Sequence, residues 1–391
     1  SMFKSTVKLT ADESPVSTGS ESYNVSDYEK YISEKTDAHV AKYGDQTLTP
    51  TLASPVVILG QNYTTDYNGV AADGYSPAIK ELSIAEFDQY QNSETAKHGG
   101  DKLVAHLGGY VSYEIEVPES GFYTLYINYY TYSGFSSATE RKLSINGEVP
   151  FTDCNAFTFS RVWQDKADTR VKDGVTTVYN VLNTDTNEDG NFTVSKLWRK
   201  DTNKNELKPQ QVEVANAKTG SAFKDSMGYV TEPFEFYFEK GTSTIRLDFI
   251  KEYFVIDTIE LRQVEKAQSY AEYYEALVQQ YGDPSNSAKN AYTRIEAEAT
   301  ATKSSPTLYP ITDRSDANTY PFSITKSYLN TVGGTNWKVL GDWVAWEFSV
   351  PKSGYYEISM RAKQNTVRGM FSTRTVSLAE KQANGTLSEY E

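Results

Sequence analysis

The chain repeats itself, and the repeat limits its fold more than any other feature. Residues 108–130, "GGYVSYEIEVPESGFYTLYINYY", align without a gap with 341–363, "GDWVAWEFSVPKSGYYEISMRAK", and 8 of the 23 positions are identical. The same offset holds as far as "RKLSI" at 141–145 against "RTVSL" at 374–378. Solenoid repeats run to roughly 20–50 residues, so a period this long marks a duplicated domain. A second echo lies upstream of each copy. "SDYEKYISEKTDAHVAKYGD" and "SYAEYYEALVQQYGD" (269–283) both end in Tyr-Gly-Asp and both precede a β-rich region. Ser26 or Asp27 caps the first helix, with Tyr28, Tyr31 and Ile32 on one face. In the second, Tyr270, Tyr273, Leu277 and Tyr281 form an apolar stripe and Gly282 suits the C-cap.

Between the helices, "SYEIEV", "YTLYINYY", "RKLSI", "FEFYFE", "STIRLDFI" and "VIDTIELR" are short runs rich in β-branched and aromatic residues, bounded by Gly, Pro or Asn. Asn146-Gly147 is a hairpin turn. Many short strands without intervening helices predict a mostly β chain of tandem antiparallel β-sandwich domains, each preceded by a short α-helix. The expected divisions are a disordered tether at 1–25, a helix and linker at 26–51, a first β-sandwich module at 52–264, a linking helix at 265–291 and a second module at 292–391. The second copy lacks counterparts of "FEFYFE", "STIRLDFI" and "VIDTIELR". It is therefore expected to be incomplete, with open sheet edges.

Composition narrows the partners. Aromatics make up 13% of 391 residues, with 30 tyrosines, which argues against disorder over most of the length. A net charge of −14 repels nucleic acid and anionic lipid. The single cysteine, Cys154, can form neither an intrachain disulfide nor a zinc cluster. That fits the cytosol and also the surface of Gram-positive bacteria that do without disulfides. No apolar run approaches the ~18 residues of a membrane span. Ser1-Met2 reads as the scar of a removed expression tag. The three histidines have no metal-ligand spacing, and no nucleophile elbow or P-loop is present, so the chain is not expected to be an enzyme.

Strand alternation sorts the aromatics. Val344, Trp346, Phe348 and Val350 form one apolar face and are expected in a core, as are Val111, Tyr113, Ile115 and Val117 in the first copy. Trp343 and its counterpart Tyr110 fall on the mixed face. In the next strand Tyr123, Leu125, Ile127 and Tyr129 point inward, while Tyr126, Asn128 and Tyr130 point out and, with Tyr110, form a predicted polar-aromatic patch. An aromatic ring beside polar groups suits a sugar, whose C–H groups stack on the ring while its hydroxyls bond the neighbours. Opposite Thr124, Tyr126, Asn128 and Tyr130 the second copy carries Glu357, Ser359, Arg361 and Lys363, so the two copies cannot bind alike. "DTNEDGNFTVSK" (185–196) opens like an EF-hand loop but has Lys196 where a bidentate Glu is needed, which favours a plain Asx/Gly turn.

"RIEAEA", the Gly-Asp-Trp-Val motif and "VPKSGYY" resemble carbohydrate-binding modules of families 6 and 35, and "GTSTIRLDFIKEYFVIDTIEL" resembles their closing strands. With "SATERKLSINGEVPF", "FSRVWQD" and "NTVRGMFSTRTVSL", residues 50–391 are more similar still to the tandem modules that precede the solute-binding domain in large clostridial ABC-transporter lipoproteins. The resemblance implies a jelly-roll fold and capture of an oligosaccharide or polysaccharide at the loop end of the sandwich. Arg161, Trp163, Asn336 and Trp337 are the implied loop residues. It also implies structural Ca²⁺ held by Glu296 and Glu298, whereas Leu59 and Gln61 replace those carboxylates in the first copy. The implied setting is an extracellular, anchored protein beside a downstream solute-binding domain. Its rivals are a structural spacer or interaction module, and an accessory region of a glycoside hydrolase.

Overall fold

The structure, a computed structural model, describes residues 27–71, 74–84, 100–132, 134, 137–214, 218–265, 268–364, 369, 371–381 and 387–389. The predicted tether at 1–25 lies outside them. The chain opens with helix α1 (Asp27–Tyr43), then β1 (Val56–Leu59), β2 (Tyr63–Ala71), β3 (Ile79–Ser83), β4 (Lys102–His106) and β5 (Gly108–Val117). There follow β6 (Gly121–Thr131), β7 (Thr139–Ile145) and β8 (Phe157–Phe159). Six short strands come next: β9 (Trp163–Asp165), β10 (Asp168–Lys172), β11 (Val175–Tyr179), β12 (Leu182–Thr186), β13 (Phe192–Lys196) and β14 (Gln211–Glu213). After them run β15 (Lys218–Ala222), β16 (Glu235–Phe238), β17 (Gly241–Lys251), β18 (Phe254–Gln263) and helix α2 (Tyr270–Tyr281). The remaining described strands include β19 (Thr293–Ile295), β20 (Thr302–Lys303), β21 (Pro310–Ile311), β22 (Thr331–Val332) and β23 (Val344–Ala345).

The chain divides into two compact units. In the first, a seven-stranded sheet in the order β15-β6-β18-β4-β3, with β1 on β18 and β16 on β6, accompanies a five-stranded sheet β2-β5-β17-β7-β8. Between them Val111, Tyr113, Ile115 and Val117 of β5 and Tyr123, Leu125, Ile127 and Tyr129 of β6 are buried in one core cluster, as strand alternation predicts. Ile245 and Leu247 of β17, Ile256, Ile259 and Leu261 of β18, and buried phenylalanines such as Phe159, Phe223, Phe236 and Phe254 complete it. This is a β-sandwich. Helix α1 closes one of its edges. Tyr28 Oη accepts from the Glu235 amide (3.0 Å) and Tyr31 Oη from the Tyr237 amide (2.8 Å), which satisfies donors that edge strand β16 would otherwise leave bare. Arg141, on β7, is fully buried; its Nε donates to His106 Nδ1 (3.0 Å) and its guanidinium lies between the rings of Phe249 and Phe254.

The second unit gathers residues 163–213 with those from 268 onward. The sequence reading assigned all of 52–264 to one module. By contact, the β9–β14 segment instead groups with the C-terminal part, because its strands pair there. A four-stranded sheet runs β14-β9-β20-β23, and β13 pairs in parallel with β19. At its centre Asp165 accepts from Lys303 Nζ (2.8 Å), Lys196 Nζ (2.7 Å) and Gln211 Nε2 (2.7 Å), all out of solvent's reach or half-buried. The EF-hand-like stretch is the β12–β13 hairpin turn: Asn187 Oδ1 accepts from the Asp189 and Asn191 amides, an Asx turn.

The repeat is visible in local geometry. Tyr123 Oη donates to the Glu119 carbonyl (2.7 Å), and its counterpart in the second copy, Tyr356 Oη, donates to the Lys352 carbonyl (2.6 Å). Gly44 and Gly282 end their helices alike, each amide bonding the carbonyl four residues back. Beyond that the copies part. The apolar face of Val344, Trp346, Phe348 and Val350, expected in a core, is not buried. Only Val344–Ala345 is a strand, Trp346 is half-buried and Phe348 is exposed. The α2 stripe is likewise not sealed, since Tyr270 is exposed and Tyr273, Leu277 and Tyr281 are half-buried.

Candidate functional site

Sheet pairing separates the predicted patch. Tyr110 lies on β5, in the five-stranded sheet; Tyr126, Asn128 and Tyr130 lie on β6, in the seven-stranded sheet. Strands consecutive in the chain cross from one sheet to the other at the Pro118–Ser120 turn, so outward-facing residues of β5 and β6 point to opposite sides of the sandwich. Tyr130 is also fully buried, packed with Leu82, Leu103, Ala105, Leu107 and Val255. It presents no ring to a ligand.

What remains on β6 forms an ordered row. Thr124, Tyr126 and Asn128 are half-buried and alternate with core residues. On one side lies β18, with Glu260 opposite Tyr126, Thr258 opposite Asn128 and Arg262 opposite Thr124. On the other lies β15, with Gly220 opposite Asn128 and Ala222 opposite Tyr126. Asn128 Nδ2 donates to Thr258 Oγ1 (2.8 Å) and to Glu260 Oε1 (2.8 Å). The other Glu260 oxygen pairs with Arg262 at 2.7 Å, and the Arg262 guanidinium sits 3.7 Å from the Tyr126 ring centroid. The Tyr126 ring also lies against Gly220, where a Cβ would sit 2.7 Å from Tyr126 Cζ, inside van der Waals contact. Glycine there lets the ring lie down on the neighbouring strand.

The result is a sheet face that carries a tyrosine, a guanidinium, a carboxylate and an amide linked to one another. Such a face can stack the C–H side of a sugar and bond its hydroxyls. Sequence reasoning named Tyr126 and Asn128 for this face and did not name their neighbours Glu260, Arg262 and Gly220. The alternation Thr258, Glu260, Arg262 against Ile259 and Leu261 is readable in the sequence, whereas the pairing of β18 with β6 across 130 positions is not.

Tyr110 has a similar neighbour on the other sheet: the Arg246 guanidinium lies 3.6 Å from its ring centroid and bonds Asp248. Arg161 is buried, bonded to the carbonyls of Tyr132 and Tyr253 (the latter at 3.1 Å) and 3.5 Å from the buried Glu252 carboxylate. It holds loops together and has no surface to offer a ligand. Trp163 is half-buried on β9, in register with Glu213 and Lys303. Asn336 closes the short 3-10 turn Gly334–Asn336. Trp337 donates its Nε1 hydrogen to the Asp342 carbonyl (3.0 Å) and lies under Arg374, 4.7 Å from centroid to guanidinium. Trp343 is half-buried, its amide bonded to Ser304 Oγ (2.9 Å).

Glu296 and Glu298 follow β19 in a turn, so strand alternation does not set their side chains. Glu296 is ion-paired with Arg294 at 2.9 Å. Glu298 is buried, and burial, with the added repulsion of Glu296 and Glu206, pushes its carboxyl up to about 8. Among the described residues no three His, Cys, Asp or Glu side chains gather as a metal site.

Neither a protein-family model nor any curated protein matches the chain. Among solved structures it is similar to a family 35 carbohydrate-binding module from Clostridium thermocellum, at 13% identity over 54% of this chain and 98% of that one, with a TM-score of 0.27. It is also similar to a GH26-CBM35 β-(1,4)-mannanase from Podospora anserina, at 9% identity over 56% of this chain and 29% of that one, with a TM-score of 0.27. A third is an exo-β-1,3-galactanase from Phanerochaete chrysosporium, at 12% identity over 54% of this chain and 30% of that one, with a TM-score of 0.25. The chain thus spans most of the isolated module and under a third of each enzyme.

Proposed function

We propose that the chain is a non-catalytic carbohydrate-binding region of an extracellular, surface-anchored protein, taking an oligosaccharide or polysaccharide on the outward face of β15, β6 and β18. The observation that carries this reading is the interlocked row of Tyr126, Asn128, Glu260 and Arg262 beside Gly220. The row is pre-organised, so a sugar meets donors and acceptors that lose little freedom on binding. The negative surface favours neutral over acidic glycans. The link to a downstream solute-binding domain rests on the sequence resemblance, as does calcium at Glu296 and Glu298. Calcium would draw the Glu298 carboxyl down and raise the melting temperature relative to EDTA; equal melting temperatures refute it.

Affinity electrophoresis over a panel of neutral polysaccharides tests the binding. The wild-type chain is expected to be retarded by at least one polymer. Tyr126→Ala should weaken that retardation several-fold, up to about tenfold, since an aromatic contact is worth roughly 0.5–1.5 kcal/mol beyond burial. Trp163→Ala should leave it unchanged. Migration unaffected by every polymer, or binding lost with Trp163 and not with Tyr126, overturns the assignment.

A further inference from the structure

The construction on β6 and β18 occurs a second time in the same sandwich. On β18, Glu260 and Arg262 stand two residues apart and pair along the strand, and the guanidinium lies over Tyr126 of neighbouring β6. On β17, Arg246 and Asp248 are likewise two residues apart. Arg246 Nη2 donates to Asp248 Oδ1 (2.5 Å), and its Nε approaches both carboxylate oxygens at 3.2 Å. The guanidinium lies 3.6 Å from the ring centroid of Tyr110 on neighbouring β5. The residues alternating with them, Ile245 and Leu247, are in the core, so this pair faces outward. In register, Asp248 stands between Tyr110 on β5 and Lys142 on β7, and Arg246 between Ser112 and Ser144. Both serines are buried, and their short side chains leave the guanidinium room to lie across the sheet. The Arg246 and Asp248 side chains are 38% and 23% exposed, against 22% and 14% for Arg262 and Glu260, so this row is the more open of the two.

We propose that the outward face of β5, β17 and β7 is a second carbohydrate-binding surface, built on Tyr110, Arg246 and Asp248, and that one sandwich thereby holds two glycan chains. A guanidinium beside a carboxylate offers donors and acceptors side by side. Neighbouring hydroxyls of a sugar ring, each both donor and acceptor, match that pairing, while the Tyr110 ring supplies apolar contact. The ion pair already holds both groups in place, so little freedom is lost on binding. Because β5 and β6 belong to different sheets, the two rows look out from opposite sides. Sandwiched sheets pack roughly 10 Å apart, and one straight glycan cannot lie on both outer faces. The consequence is cross-linking of polysaccharide, with a gain in avidity that neither face has alone. The ligand class of this second surface rests on the sugar-binding reading of the β6 face; its residues are different ones.

Titration calorimetry with short oligosaccharides of mannan, β-glucan and galactan counts the sites, and turbidity with the parent polymers reads cross-linking. The wild-type chain, monomeric by light scattering, should bind two oligosaccharides and precipitate the polymer. Tyr110→Ala and Tyr126→Ala should each keep one site and bind the polymer without precipitating it. Truncating a tyrosine can loosen a strand, so Arg246→Met, which keeps an apolar stem over the ring, is measured alongside. It should weaken the second site about tenfold, the loss expected for hydrogen bonds from a charged group, and leave the Tyr126 site at full affinity. One site per chain in the wild type, lost with Tyr126→Ala and untouched by Tyr110→Ala and Arg246→Met, overturns the second surface and leaves the first standing. One site lost with Tyr110→Ala and not with Tyr126→Ala overturns the two-sided arrangement and the β6 assignment together. Precipitation by a dimer with one site per chain also overturns it, and no binding to any of these sugars overturns both surfaces.

Discussion

Glu298→Gln should change the pH dependence of stability of the second unit alone. The Glu298 carboxyl is buried, pushed up from 4.5 to about 8 first by loss of water and then by the neighbouring Glu296 and Glu206 charges, against a smaller opposing effect of Arg294. In the unfolded chain it titrates near 4.5. Between those values the folded state holds a proton that the unfolded state has released. Stability is therefore fully present below about pH 4.5 and is lost as pH rises towards and through 8. At about 1.4 kcal/mol per pH unit the full loss is ~5 kcal/mol, and water access in a real interior lowers it, so a loss of about 2–5 kcal/mol is expected. Glutamine keeps the shape of the protonated acid and cannot ionise. The variant should match the wild type to within about 1 kcal/mol near pH 5 and exceed it by about 2–5 kcal/mol at pH 9. Urea unfolding followed by tryptophan fluorescence measures this cleanly. All 5 tryptophans, Trp163, Trp198, Trp337, Trp343 and Trp346, lie in the second unit, so the signal ignores the sandwich. A difference between variant and wild type that stays constant within about 0.5 kcal/mol from pH 5 to 9 refutes the reasoning.

Gly220→Ala should push the Tyr126 ring off β15, because the added methyl meets the ring inside contact distance. Retardation by the recognised polysaccharide should fall about tenfold, with stability down by roughly 1–3 kcal/mol; unchanged retardation shows that the ring's placement is irrelevant. In the second unit, Asp165 faces two ammonium groups; burial alone would raise its carboxyl, but Lys196 and Lys303 outweigh that and hold it low. Asp165→Asn leaves both ammoniums uncompensated and should cost about 3–5 kcal/mol, while Lys303→Met leaves a neutral Asp165–Lys196 pair and should cost under about 1 kcal/mol. Equal losses from the two variants in urea melts would rule out this account of the triad.

What the sequence revealed depended on the range of each interaction. Alternation along β5 and β6 needs only neighbours one and two residues away, and the eight positions it turned inward, Val111, Tyr113, Ile115, Val117, Tyr123, Leu125, Ile127 and Tyr129, are all in the core. The duplication likewise rests on local chemistry, and the Tyr123–Glu119 and Tyr356–Lys352 clamps show it surviving as geometry. Sheet membership is a different matter. β5 and β6 are separated by three residues, yet they belong to different sheets, and nothing in "VPESGF" announces the crossing. That single fact removed Tyr110 from the predicted patch. Tyr130 failed for a related reason. Its position in the alternation points outward, but that outward surface carries its own apolar cluster with Leu103, Ala105 and Val255, gathered from strands far apart in the chain.

The same contrast explains why the two copies read alike and fold differently. A strand's side chains are patterned by its own sequence, but its burial is supplied by partners. Leu125 and Ile358 occupy equivalent positions in closely similar motifs; Leu125 is buried in the core between the two sheets, whereas Ile358 is 55% exposed. Covering three such side chains is worth on the order of 1.5–3 kcal/mol each in apolar area removed from water. The second copy carries the alternation of the first, yet Ile358 and Met360 stay exposed where Leu125 and Ile127 are buried, so alternation alone does not bury a side chain.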